Sequence, residues 1–173
     1  MLYDLTIPQF TKMLVNLSKC LDKAVSFAET KKFDAEVLLG SRLTPDQFNF
    51  TRQVQIACDT AKNGVARLTG IEAPAHEDTE KTVAELKARI ERVLSFLHSF
   101  SAKDFAESET RTVSQPRWNG KTLTGKEFAL QHMIPNFYFH VTTAYAILRR
   151  NGVDVGKKDY LGEMPFKLPA QLD

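Results

Sequence analysis

The chain is short of several things, and each shortage excludes a class of protein. It has two cysteines in 173 residues, too few for a disulfide framework or a CxxC-type zinc module. Eight glycines and seven prolines are too few for a linker-rich or disordered chain. Lysine and arginine outnumber aspartate and glutamate by only 23 to 21, so the charge surplus of a nucleic-acid-bound surface is missing and no nucleic-acid partner is expected. No GxGxxG, GxxxxGK[ST] or GxSxG occurs, and the signatures of nucleotide binding and serine hydrolysis go with them. No HxxxH occurs either. The start, Met1-Leu2-Tyr3-Asp4, lacks a basic and apolar leader, so a cytoplasmic protein is expected, with Cys20 and Cys58 as free, buried thiols. Phe128–Leu148 holds no Asp, Glu, Lys or Arg, but it contains Gln131, His132, Pro135, Asn136 and His140. That polarity argues for a helix buried among helices and against a membrane span.

What remains is helical periodicity in four long segments, forming a single domain over residues 1–173. Ile7, Phe10, Leu14, Leu17, Leu21, Ala24 and Ala28 recur at spacings of three and four, with Thr6 as N-cap and Pro8 in the first turn. The second segment is expected to open at the capping box Thr44-Pro45-Asp46-Gln47 and to stop at Gly70. The third opens at Thr82-x-x-Glu85 and carries a charged face with Lys87, Arg89 and Arg92, read as solvated. The fourth opens at Thr124-x-x-Glu127 and ends at Arg149-Arg150-Asn151-Gly152. Leu130, Ile134, Phe137, Val141, Ala144 and Leu148 make one stripe, Met133, Asn136, His140 and Ile147 a second, and Phe139 and Tyr145 extend the apolar coverage. Such a helix is either central or half of a homodimer interface. Pro135 inside it predicts a kink upstream of His140.

The joins differ in character. Asp34–Leu39 adds a helical turn between the first two helices. Residues 71–78 form an acidic, proline-bearing link. Thr110–Thr122 reads as a hairpin around Asn119-Gly120. After Gly152 the chain reads as an extended tail bearing Gly156, Gly162, Pro165 and Pro169, pinned by Tyr160, Leu161, Met164 and Phe166. The fold class is therefore all-α: a four-helix bundle with a small β-hairpin between helices three and four and an extended C-terminal tail.

The chemistry-bearing residues converge on the middle of the bundle. Asn136 lies one turn before His140, and the second helix offers Cys58 and Asp59, with Gln55 one turn earlier. In one reading, Asp59 holds the His140 imidazole in a single tautomer and leaves the other nitrogen for a proton, a metal or a ligand. In the other, His140 is a satisfied core histidine. Trp118, beside the hairpin turn, either lids a pocket or plugs the bundle end. Trp118, Tyr145, Gln55, Cys58 and Asn136 are the candidate ligand contacts, His140 and Asp59 the candidate catalytic pair. His132 and His140 fall about 80° apart around an ideal helix and ~12 Å along it, too far for one ion. His98 suits a helix C-terminus, and His76 a solvated link.

Several blocks resemble an uncharacterised bacterial family: Gln53-Val54-Gln55-Ile56-Ala57-Cys58-Asp59, Glu77-Asp78-Thr79-Glu80, and above all Pro135-Asn136-Phe137-Tyr138-Phe139-His140-Val141-Thr142-Thr143-Ala144-Tyr145. That family is grouped with the DinB/YfiT-like four-helix bundles, a superfamily associated with metalloenzymes. The resemblance implies a left-handed bundle, commonly dimeric, with an up-down-down-up course. Relatives use a histidine from the second helix and an HxxxH pair from the fourth. His140 matches the second histidine of that pair, Asn136 stands in place of the first, and Cys58 or Asp59 falls near the second-helix position. An asparagine carbonyl is a poor substitute for imidazole toward Zn²⁺ or Ni²⁺. No cofactor is therefore expected, and a divalent metal, if bound, would use His140, Asn136 and Asp59. The leading expectation is a homodimeric module that binds a small molecule or regulates, with a degenerate metal site. The alternatives are a metal-dependent hydrolase or thiol transferase using His140 with Asp59, and a non-catalytic structural homodimer.

Overall fold

The computed structural model describes residues 2–168; Pro169 of the tail lies outside them. Helix α1 spans Leu2–Lys31. A short 3₁₀ turn, Ala35–Gly40, follows and is capped by Asp34. Helix α2 runs Phe50–Thr69 and α3 Val83–His98. Strands β1 (Thr112–Val113) and β2 (Leu123–Thr124) pair antiparallel, with Thr112 opposite Thr124 and Val113 opposite Leu123. The last long helix is built in three continuous pieces: α4 (Gly125–Phe128), a π-helical turn (Ala129–Met133) and α5 (Ile134–Arg150). A short α6, Lys157–Leu161, ends the regular structure. α1 and α2 each pack beside both α3 and α5, so α1 and α2 stand on one diagonal of the bundle and α3 and α5 on the other. Phe10, Leu14, Leu21, Val54, Leu68, Leu86, Ile90, Phe137 and Leu148 fill the centre.

The helix ends show which capping signals won. Thr82 accepts from the Glu85 N–H while Glu85 reaches back to the Thr82 N–H, and Thr124 with Glu127 repeats the motif. Gly70, at φ +77°, gives α2 its left-handed stop. The expected start at Thr44 is corrected. Residues 44–47 form an isolated turn, in which Thr44 spends its hydroxyl on Asp46. Asn49 caps α2 by accepting from the Arg52 N–H, and the Phe50 N–H is tied to the Ser41 carbonyl at 2.8 Å. That tether fixes the chain extended up to Asn49. Helix α1 likewise starts at Leu2 and not at Thr6, whose hydroxyl instead donates back to the Leu2 carbonyl within the helix.

The hairpin is smaller than its sequence suggests. Asn119 and Gly120 both have positive φ, 50° and 81°, as a type I′ turn requires, and the Lys121 N–H closes that turn on the Trp118 carbonyl. The strands do not flank it, because the Pro116–Trp118 3₁₀ turn intervenes.

The break around Pro135 is a π-turn. Proline has no N–H to return to the preceding turn, and the Ile134 N–H bonds five residues back to the Ala129 carbonyl. The extra residue re-registers the helix, so Leu130, expected in the core stripe, is 43% exposed. Phe139 also faces outward, at 54%. Gly64 of α2 makes room for this turn: a Cβ there would lie 2.6–2.7 Å from Met133 side-chain atoms. In the tail, the Lys23–Asp159 ion pair and the Lys12–Met164 contact share the pinning with Tyr160. The Tyr160 carbonyl accepts from Asn16 and its hydroxyl bonds Thr142, whereas Phe166 is 88% exposed.

Candidate functional site

A cleft of about 390 Å³ lies between α2 and the last long helix. One wall is the α2 face carrying Arg52, Asp59, Thr60 and Asn63; the other carries Phe128, His132, Asn136 and His140, four residues apart each time. An ideal helix would swing His132 and His140 well apart. The π-turn, which contains His132, widens the local period, and both rings line the same cleft.

His140 is 7% exposed. Its Nδ1 lies 2.7 Å from Gln53 Oε1. The Gln53 amide is oriented by its own Nε2, which donates to the Phe48 carbonyl, so Oε1 is the atom offered to the ring. An amide oxygen accepts only. His140 Nδ1 therefore carries the proton, and Nε2 is an unprotonated lone pair with no protein partner among the described residues. Burial, followed by the nearby Arg52 charge, pushes the imidazole down to about 4. The ring is neutral at physiological pH.

The expected Asp59–His140 pair is not formed. Asp59 Oδ1 sits 2.9 Å from Arg89 and 3.4 Å from Lys62. Arg89, read from the sequence as part of a solvated face, is fully buried and also binds Asp78 at 2.9 Å and Glu80 at 3.0 Å. Glu80 accepts from Gln55 as well. Burial alone would raise the Glu80 carboxyl, but the hydrogen bonds from Gln55 and Arg89 outweigh it and hold it below its ordinary value. Asp59 and Gln55 thus belong to an ion-pair network that ties the 70–82 link to α2 and α3. That link is longer than the 71–78 segment read from sequence, and His76 within it is half-buried rather than solvated.

Other expected residues divide similarly. Cys58 is fully buried, and burial pushes its thiol up to about 12, so it stays protonated and inert. Asn136 lines the cleft; its Nδ2 donates to Thr60 Oγ1 at 2.8 Å, leaving Oδ1 for a ligand. Tyr145 lies elsewhere, with its ring against Tyr160 and its hydroxyl toward the Val155 carbonyl. Trp118 packs edge-on against Phe128 and His132 and so braces one end of the cleft. Sequence reasoning missed Gln53, Arg52 and Arg117. A glutamine or an exposed arginine announces no chemistry by type, and only the fold brings them to these rings.

A metal does not fit this donor set. Of its two imidazoles, His132 has its Nε2 occupied by Arg117 and its Nδ1 buried, which leaves His140 Nε2 and the Asn136 amide oxygen, while the carboxylate of Asp59 is neutralised by Arg89 and Lys62 and the Cys58 thiol is protonated. Among the described residues no group of three His, Cys, Asp or Glu side chains could hold a metal ion. Nor is any helix among them long and apolar enough to cross a membrane.

The architecture is that of a DinB-like helical bundle. The chain belongs to the family described as a domain of unknown function, DUF1993, which it matches over residues 2–161. It is similar to a protein from Shewanella denitrificans whose crystal structure is described as that of a DinB family member. The two are 65% identical, with a TM-score of 0.95, over 98% of this chain and 96% of that one. No curated protein matches the chain.

Proposed function

We propose that the cleft is a metal-free binding pocket for a small molecule, with His140 Nε2 and Asn136 Oδ1 as acceptors for hydrogen bonds from the ligand. The observation that carries this reading is the Gln53–His140 contact, which presets the tautomer in which Nε2 accepts. A size of about 390 Å³ suits a small ligand. Binding is favoured over acid–base catalysis. A general base works best with a pKa near the operating pH, and an imidazole near 4 is too weak a base for that task. The hydrolase and thiol-transferase readings lose their dyad, since Asp59 serves Arg89. Two unpaired, buried thiols suit a reducing compartment such as the cytoplasm.

Titration with phenol, a neutral hydroxyl donor, followed by amide and ring NMR signals, tests the pocket. Saturable shifts at His140 and Asn136 are expected. No shift, or shifts confined to other surfaces, would contradict the reading.

A further inference from the structure

The end of the cleft away from His140 carries charge that no carboxylate among the described residues neutralises. Arg117 Nη2 donates to His132 Nε2 at 2.7 Å; arginine cannot accept, so the imidazole must. That contact, with His132 stacked on Phe128 at 5.6 Å and edged by Trp118, holds the guanidinium at the cleft wall. Arg67, in the last turn of α2, is half-buried. It lines a hollow that shares Asn63 with the cleft, and burial, then the Arg117 charge, pulls its guanidinium below its ordinary value. Burial, then the Arg117 and Arg67 charges, push the His132 imidazole below its ordinary value, and its buried Nδ1 has no partner among the described residues.

Among the described residues no carboxylate pairs with Arg67 or Arg117. Asp59, the cleft's own carboxylate, is engaged by Arg89 and Lys62. Glu72 shares a surface hollow with Arg67 but forms no ion pair with it. Arg52 differs, because Asp78 and Gln55 hold it. Arg117 on the wall of an open cleft and Arg67 in the adjoining hollow that shares Asn63 with it, neither with a carboxylate partner among the described residues, suit an oxyanion, which guanidinium groups bind through paired N–H donors.

We infer that the ligand is a small molecule with a phosphate or carboxylate end, bound by Arg117 and Arg67, its body running along Asn63 and Asn136 toward His140. This inference rests on the pocket reading above and assigns the chemistry of its ligand. His132 acts as a positioning residue: its neutral ring holds Arg117 and takes no part in contacting the anion.

The test titrates the whole protein with inorganic phosphate and, separately, with acetate, at constant ionic strength, following arginine side-chain and backbone NMR signals. A saturable response at Asn63, Arg67 and Arg117 to either anion is expected, and the anion that binds more tightly identifies the end group. Arg117→Gln and Arg67→Gln should each raise Kd by roughly ten-fold, the loss expected for one charged hydrogen-bond partner; Lys157→Gln should leave it unchanged. Arg117 is exposed, so its variant should keep the native spectrum. No saturable response to either anion, or a Kd indifferent to Arg117→Gln, overturns the inference. If phenol still binds at His140 in that case, the pocket reading stands without it; if neither probe binds, both fail.

Discussion

At the scale of single residues, the site is decided by where protons and lone pairs are fixed. Gln53 does what a carboxylate was expected to do, orienting the His140 ring, but without a negative charge to support an imidazolium. Burial can therefore drive the ring neutral with nothing opposing it. His140 and Asn136 were legible in the sequence because they lie one turn apart on a chargeless helix. Gln53 was not, since glutamines occur for many reasons and its contact spans two helices. Asp59 misled for the complementary reason: a mid-helix carboxylate advertises chemistry, and the arginine that claims it lies far along the chain. The prediction at this scale concerns metal. Purified without a histidine tag and equilibrated with Ni²⁺ or Zn²⁺, the protein should retain far less than one ion per chain, and His140→Ala should not change that amount. Near-stoichiometric metal that is lost in His140→Ala would show that the donors assemble after all.

At the scale of elements, local rules placed most of the fold. The caps at Thr82 and Thr124, the stop at Gly70 and the turn at Asn119-Gly120 were all readable, because each depends on residues a few positions apart. The π-turn was not readable in kind. Pro135 announced a break, but whether a helix answers with a bend or an inserted residue depends on what packs against it; here Gly64 leaves room for Met133. Nor was the burial of Arg89 readable, because its partners come from the 70–82 link and from α2. That network fastens the link, and removing its cation should be costly. Arg89→Met leaves Glu80 buried and Asp59 half-buried without their partner, and should lower stability by about 3 kcal/mol in denaturant unfolding. Adding Glu80→Leu to Arg89→Met should recover part of the loss. A change under about 1 kcal/mol for Arg89→Met would mean that the network contributes little.

At the scale of the whole molecule, the neutral His140 couples the pocket to folding. Its pKa falls from 6.5 to about 4 on folding, so between those values the unfolded chain binds more protons. Stability is then greatest above about 6.5 and declines as pH falls toward 4, by about 3 kcal/mol for a shift of this size. His132 and His76 are shifted in the same direction, chiefly by burial, and add to the decline. The bundle thus keeps an uncharged acceptor in its cleft at the expense of acid stability. The most direct test is the long-range ¹H–¹⁵N correlation spectrum of the His140 ring, recorded through an acid titration of the native protein. A ring protonated at Nδ1 that gains its second proton near 4 is the predicted result. A ring protonated at Nε2, or a midpoint at or above 6.5, would contradict the account.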